Sequence, residues 1–189
     1  MTRRGKLVLV VAPSGSGKDS LIEAACAAVP EISRLTTCTT RPMRPSEEMG
    51  VDYFFLSNEE FDKNIERGAF LEWAEYGGNR YGTLGASVED GVAAGRILIT
   101  DMEVQGARQV RKLLPTEELV IVYIEAGGWE TLVGRIRARA PISDEELEKR
   151  HARFEDEFSF KQYATYVVQN PDGGFDEAIK QFVNIIKGL

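Results

Sequence analysis

The chain has 189 residues, a net charge of −7 at pH 7 and no basic tract, which excludes a nucleic-acid polymer as an expected partner. Apolar residues at 43% and charged residues at 28% describe one compact unit with a buried core and a water-facing surface. No stretch reaches membrane-spanning length, and Cys26 and Cys38 lack metal-ligand spacing, so no membrane contact and a reduced, cytoplasmic setting are expected.

Residues 1–6 include basic side chains, but the apolar run behind them is too short for a signal peptide. That run, residues 7–11, is β-branched and apolar and predicts a buried strand. It leads into Ala12-Pro13-Ser14-Gly15-Ser16-Gly17-Lys18-Asp19-Ser20, after which Leu21, Ile22, Ala24, Ala25 and Ala28 recur at helical spacing. Strand, glycine-rich turn, lysine and helix form the context of a phosphate-binding loop. Gly15 and Gly17 let backbone N–H groups turn inward, the helix start adds to the anion cradle, and Lys18 supplies charge for outer phosphates. Ala12 and Asp19 depart from the pattern G-x-x-x-x-G-K-[ST]. The plain alternative is a strand–turn–helix corner with a surface lysine.

Further along, residues 34–40 predict a strand, 41–50 a proline-bounded loop and 51–56 another strand. Ser57 predicts an N-cap for a helix whose apolar side is Phe61 and Ile65, with Phe70 at its exit. Residues 72–76 predict a short strand, 77–79 a turn and 84–94 a helix closing at Gly95. Residues 96–100 and 119–124 predict buried strands, with a helix over 104–114 between them. Helices are expected over 129–138 and 144–158, then a strand over 166–169 and a helix over 176–186. Strands alternating with helices imply a parallel sheet covered on both faces, and residues 35–83 break that rhythm as an insertion.

Several stretches together resemble the guanylate kinase family. They are Ala12 to Lys18; Thr39-Thr40-Arg41-Pro42-Met43-Arg44 with Gly50-Val51-Asp52-Tyr53; Phe70-Leu71-Glu72-Trp73-Ala74 with Gly78-Asn79-Arg80-Tyr81-Gly82-Thr83; Asp101-Met102-Glu103-Val104-Gln105-Gly106; and Arg135, Arg139 and Arg150 in a charged hairpin. Their order and spacing cover essentially the whole chain. The resemblance implies an α/β fold: a P-loop three-layer core with a parallel sheet (residues 1–34, 84–128 and 159–189), an inserted small mixed α+β nucleotide-binding subdomain (35–83) and a helical lid (129–158). It implies transfer of the γ-phosphoryl group of ATP to GMP, with Mg²⁺ as cofactor, by a monomer or homodimer.

The chemistry of each group suits that reading. Arg41 and Arg44 are guanidinium forks that bind phosphate in two prongs, and Tyr53 and Tyr81 add uncharged donors. The resemblance gives these four the GMP phosphate, with Thr37 near it. Taken alone, each arginine reads better as a solvated loop charge, and the plain alternative for each tyrosine is an edge-of-core aromatic. Glu72 lies in an apolar setting, and its carboxylate suits the adjacent N1–H and N2–H₂ of guanine, whereas adenine would present a lone pair there. Thr83 and Glu103 are given to the base as well. Asp101 ends its strand where ligands of parallel sheets collect and can orient waters around Mg²⁺, or cap the following helix. Arg135, Arg139 and Arg150 resemble the family's lid arginines, and a salt-bridged surface hairpin is the bland reading. His151 is expected at the surface or as core filler. Asn170 is given to the adenine.

Lys18 and Arg41, with the lid arginines, are the expected catalytic residues, and residues 12–20 the expected ATP site. Asp19 stands where a hydroxyl normally meets Mg²⁺ and is expected to ligate the metal directly; Ser20 is the other candidate hydroxyl. Glu103 takes the place of a shorter aspartate, Gly127-Gly128 of two prolines, and Ala140 of a glycine. Because of Asp19 the loop also resembles ribose 1,5-bisphosphate phosphokinase, and a non-catalytic guanylate kinase-like binding module is the remaining alternative. Glu72, Thr83 and Thr39-Thr40-Arg41 favour a guanine nucleotide over the first, and the intact Lys18 and lid arginines favour an enzyme over the second.

Overall fold

A computed structural model describes residues 5–189; the start of the basic N-terminus, residues 1–4, lies outside the described residues. In chain order the elements are β1 (Lys6–Val11), α1 (Lys18–Ala28), β2 (Ile32–Arg34), β3 (Thr37–Thr39), β4 (Tyr53–Phe55), α2 (Asn58–Glu66), β5 (Phe70–Tyr76), β6 (Asn79–Leu84) and α3 (Gly85–Ala93). Then follow β7 (Ile97–Asp101), α4 (Val104–Leu113), β8 (Leu119–Glu125), α5 (Trp129–Arg139), α6 (Asp144–Ser159), a short 3₁₀ turn, β9 (Tyr166–Gln169) and α7 (Phe175–Lys187).

β1 is the centre of a parallel sheet ordered β2-β7-β1-β8-β9. Its uninterrupted apolar run is explained by burial on both faces. Val8 and Val10 join Leu21 and Ile22 of α1 and Phe182 and Ile186 of α7. Leu7, Leu9 and Val11 point the other way, to Val88 and Val92 of α3 and Val104, Ala107 and Val110 of α4. Two-residue alternation along the strand thus feeds two cores, one on each side of the sheet. The large apolar face of α7 carries the first core, and truncating fully buried Phe182 to alanine is expected to cost about 3–5 kcal/mol.

The second sheet, β4-β3-β6-β5, is mixed and drawn wholly from residues 37–84. β3 and β4 are parallel, while β6 runs antiparallel to both β3 and β5. Here the strand expected over 34–40 is in fact two. Arg34 ends in the first sheet beside Ile99, and Thr37 opens the second beside Tyr53. β-Branched composition predicts extended backbone in both and cannot say that the chain changes sheets between them. β6 was not foreseen, because Gly82 and the turn residues before it dilute its pattern, yet it is an inner strand of its sheet. Phe70, expected at a helix exit, instead opens β5. Ser57 caps α2 as expected: Glu60 N–H donates to Ser57 Oγ at 3.1 Å, and Ser57 N–H to Glu60 Oε2 at 2.7 Å.

β5 carries one irregularity that aims the site. Phe70 pairs with Leu84 and Glu72 with the very next residue, Thr83, so Leu71 is an extra residue in the ladder. Beyond it the strand alternates regularly. Glu72 and Ala74 are buried on the α4 side, while Trp73 turns the other way and meets the Phe61 ring, as Phe70 does.

Candidate active site

The turn after β1 does what its glycines allow. Gly15 and Gly17 both have positive φ, 87° and 83°, a region closed to most side chains. Ser16 is buried and its hydroxyl donates to the Pro13 carbonyl. Asn170, expected to seat the adenine, has its own amide donating to the Ser16 carbonyl at 2.8 Å, and it is buried. It braces the loop from the end of β9. Ala12 packs against the first core and takes no part in lining the cavity.

A cavity of about 1300 Å³ opens over this loop. Residues 13–20 form its floor, with Asp101 and Glu103 from the end of β7 beside them. Thr37, Arg44, Tyr53, Glu72, Tyr81 and Thr83 line the side built by the second sheet. Arg135, Arg139 and Arg150 line the side built by α5 and α6. Nearly every residue that the sequence assigned to a nucleotide therefore faces one space. A smaller hollow on the far side of the loop is lined by Gly15, Gly17, Arg135, Asn170 and Phe175.

Lys18 lies among carboxylates. Burial works against its charge, but Asp101, Asp19 and Glu103 outweigh it and hold its pKa above the usual lysine value. Its Nζ is 3.9 Å from Asp19 Oδ1. The Asp19 side chain is about half exposed (51%) and Asp101 is half-buried. Among the described residues no three metal-ligating side chains cluster. A lone pair of carboxylates completed by substrate phosphates is the way Mg²⁺ is commonly held, so this donor set fits that ion.

Glu72 is 5% exposed. Its Oε1 accepts from Thr83 Oγ1 at 2.6 Å, directly across the strand pair. Burial pushes its carboxyl up to about 7, with the Thr83 hydrogen bonds pulling the other way. Tyr53 is pushed up to about 12 by burial and by nearby Asp101, so it is a phenol and a donor at neutral pH.

Arg41 is held differently from Arg44. Its guanidinium grips Glu47 by two prongs and lies 5.6 Å from the Tyr53 ring centre; Glu47 and Tyr53 line the cavity, and Arg41 itself is not among the lining residues. Arg44 is exposed and lines the cavity. On the lid side, Arg150 donates to Ser14 Oγ at 2.6 Å and to Glu146 at 3.1 Å. Arg135 donates to Asp172 at 2.9 Å and to the Asn170 carbonyl at 2.8 Å. Arg139 is exposed. The α5 helix sits down on the loop, since a Cβ on Gly15 would come within 3.1 Å of Ile136 and 3.2 Å of the Leu132 carbonyl. His151 is exposed and its ring lies against Trp129.

Four residues near the site escaped the sequence reading. Glu47 lies six residues from Arg41 in an irregular loop, where no periodicity could link them. Tyr76 was visible in principle, as the third member of the alternation Glu72, Ala74, Tyr76. Arg153 and Glu157 follow Arg150 at helical spacing on α6. Arg153 lies 4.4 Å above the Tyr76 ring and donates to its hydroxyl at 3.3 Å. Glu157 is buried and pushed up to about 7, first by burial and then by the charge of Glu103.

Comparison with known proteins agrees with this geometry. A family model described as guanylate kinase matches residues 4–189. The chain is 40% identical to a guanylate kinase of Rubrobacter xylanophilus, over 99% of this chain and 96% of that one. It is 35% identical to a guanylate kinase of Thermotoga maritima, over 97% and 87%. A crystal structure of guanylate kinase from Anaplasma phagocytophilum superposes with a TM-score of 0.75 at 26% identity, covering 99% of this chain and 87% of that chain.

Proposed function

The chain belongs to the guanylate kinase family and catalyses ATP-dependent phosphorylation of GMP to GDP; we propose that the cavity over the glycine-rich loop is where it does so, with the following division of work. The observation that carries the assignment is the buried Glu72–Thr83 pair facing the loop across the cavity. An ionised carboxylate there accepts both N1–H and N2–H₂ of guanine. Adenine would set a lone pair against it, a mismatch worth up to ~10⁴–10⁵-fold in other enzymes.

Residues 13–20 cradle the ATP phosphates through backbone N–H groups, and Lys18 holds the outer ones. Arg41, Arg44, Tyr53 and Tyr81 hold the GMP phosphate, with Thr37 near it, and Glu72, Thr83 and Glu103 hold the base. A phosphate monoester is largely dianionic at neutral pH, so the acceptor oxygen needs no general base. No protein nucleophile is required either. The work is alignment of acceptor oxygen and γ-phosphorus, and neutralisation of charge spreading over the transferred group. Arg135, Arg139 and Arg150 meet that charge from the lid side, and α5 and α6 exclude water. Asp19, and Asp101 through water, would hold Mg²⁺, which would supply positive charge to offset that of the ATP phosphates. Residues 35–83 act as the acceptor-binding insertion and 129–158 as the lid, on a core that acts as monomer or homodimer in the cytoplasm.

Asn170 supports the loop, and through its backbone Arg135, so its role at an adenine is indirect. ADP production from MgATP with GMP, AMP or ribose 1,5-bisphosphate tests the assignment. Turnover with GMP alone is expected. Turnover with the sugar bisphosphate would transfer the site to a different acceptor, and GMP binding without turnover would make it a binding module.

A further inference from the structure

We propose that Gly106 is a positioning residue for base selection: its missing side chain leaves the space in which the Glu72 carboxylate stands. The inference rests on the cavity being a GMP site and adds a residue that acts on the base only through Glu72.

Gly106 lies buried in the first turn of α4. Its backbone does not need glycine, for it is helical and absent from the positive-φ residues. Glycine within a helix costs about 1 kcal/mol relative to alanine, so a reason for it must be sought in space. A Cβ built there would overlap Oε2 of Glu72 and come within 3.0 Å of its Cδ and of Met102 Cγ. Other helical glycines differ. Gly91 would meet the Leu98 side chain, an apolar packing contact, and Gly134 would meet nothing within 4 Å. Among the described glycines, Gly106 is the one whose Cβ would meet the base-recognition carboxylate directly.

Glu72 has little freedom to yield. It is 5% exposed, and its other oxygen is fixed at 2.6 Å by Thr83 Oγ1. The carboxylate is therefore held between a hydroxyl on one side and a bare Cα on the other. That grip sets its plane, and a plane is what a two-donor edge demands. Guanine offers N1–H and N2–H₂, whereas hypoxanthine offers N1–H alone. Tilting the carboxylate costs the second hydrogen bond before the first, so a methyl group on residue 106 should harm GMP more than IMP.

The test compares wild type and Gly106→Ala with GMP and with IMP, and follows MgATP affinity and melting temperature alongside. The expected result is a kcat/KM for GMP lower by about 10- to 100-fold, the range of one charge-assisted hydrogen bond, mostly in KM. IMP should change by less than about threefold, so the GMP/IMP ratio collapses while MgATP affinity holds. Parallel losses for the two bases, or no loss for either, would overturn the proposal. If Gly106→Ala does not fold, the double variant with Glu72→Asp decides. Recovery of folding by the shorter carboxylate places the clash at Glu72, and failure places it at Met102 and overturns the proposal. A wild type that turns over no GMP defeats the functional reading instead, and that is seen before any variant is made.

Discussion

Glu47 holds Arg41 by both prongs of its guanidinium, Nη2 to Oε1 at 2.7 Å and Nη1 to Oε2 at 3.0 Å, and the same carboxylate accepts the Arg44 backbone N–H at 2.8 Å. One side chain thus fixes the positions of both arginines assigned to the acceptor phosphate. The pair also raises the Arg41 pKa and lowers that of Glu47, so it persists throughout the working pH range.

Removing Glu47 should release both arginines at once. Glu47→Ala is expected to raise KM for GMP by about 10-fold or more, the scale of a lost charge-assisted bond, with a smaller change in kcat and none in MgATP affinity. Steady-state kinetics with each substrate varied in turn checks this. A lower KM would mean that Glu47 competes with the phosphate for Arg41 instead of preparing it.

Glu72 makes both binding and stability depend on pH near neutrality. Its carboxyl in the folded protein is pushed up to about 7 from an ordinary 4.5. The folded state therefore binds more protons than the unfolded chain between those values, and its stability falls as pH rises through that window. The contribution is intact below pH 4.5 and lost above 7. Glu72→Gln should melt higher than wild type at pH 8, by up to about 3 kcal/mol of stability, and match it near pH 4. GMP needs the ionised form, so KM for GMP in the wild type should fall between pH 6 and 8, while Glu72→Gln should show a high, flat KM. A wild-type KM that does not move with pH would contradict this.

Asp19 should make nucleotide binding unusually dependent on metal. Without Mg²⁺ its carboxylate repels a phosphate charge about 4 Å away by ~4 kcal/mol at an intermediate dielectric. ATP affinity measured with and without Mg²⁺ should show a steeper metal dependence in the wild type than in Asp19→Ser. Equal dependence in the two would remove Asp19 from the metal site.

Arg153 lies among Tyr76, Glu103 and Glu157, and its Nε is buried with no hydrogen-bond partner among the described residues. Burial raises the pKa of both glutamates, and Arg153 is among the positive charges holding them down. Arg153→Met keeps most of the volume and removes the charge. Both carboxyls should then titrate higher still, so the variant loses stability as pH rises. The expected loss is about 1–2 kcal/mol at pH 8, or about 2–8 °C in melting temperature, and clearly less at pH 6. Thermal melts at the two pH values check it, and an equal loss at both would make the contact one of packing alone.

Much of this was legible in residue order. The strand before Ala12, the positive-φ glycines and Lys18 are local chemistry, and local chemistry survives folding unchanged. The convergence of Thr37, Tyr53, Glu72, Tyr81 and Thr83 on one cavity face was reachable only through resemblance, because β6 carries too weak a pattern to be seen alone. Glu47, Asn170 and Gly106 were not legible as partners. Asn170 meets Ser16 from the far end of the chain, and what Gly106 does is defined by a contact with a strand more than thirty residues away. No sequence window contains such pairs. Asn170 is the instructive case: the resemblance gives it to the adenine, and the structure shows its amide donating to the Ser16 carbonyl of the loop.

The extra residue at Leu71 makes selection of the base a question of parity. Side chains on a strand change sides at every step, so Phe70 and Trp73 could not both reach the Phe61 ring across a regular ladder while Glu72 faced inward. Leaving Leu71 out of the pairing reconciles the two demands. Pulling Leu71 back into the ladder would keep every functional group in the protein and force a choice between the aromatic cluster and the carboxylate, whereas deleting it would leave Phe70, Glu72 and Trp73 on their present sides and cost the second core only the Leu71 contact. Along β5, residue identities can drift with modest penalties, whereas a one-residue slip in the pairing between Phe70 and Glu72 is quantised and moves a whole set of side chains to the opposite face.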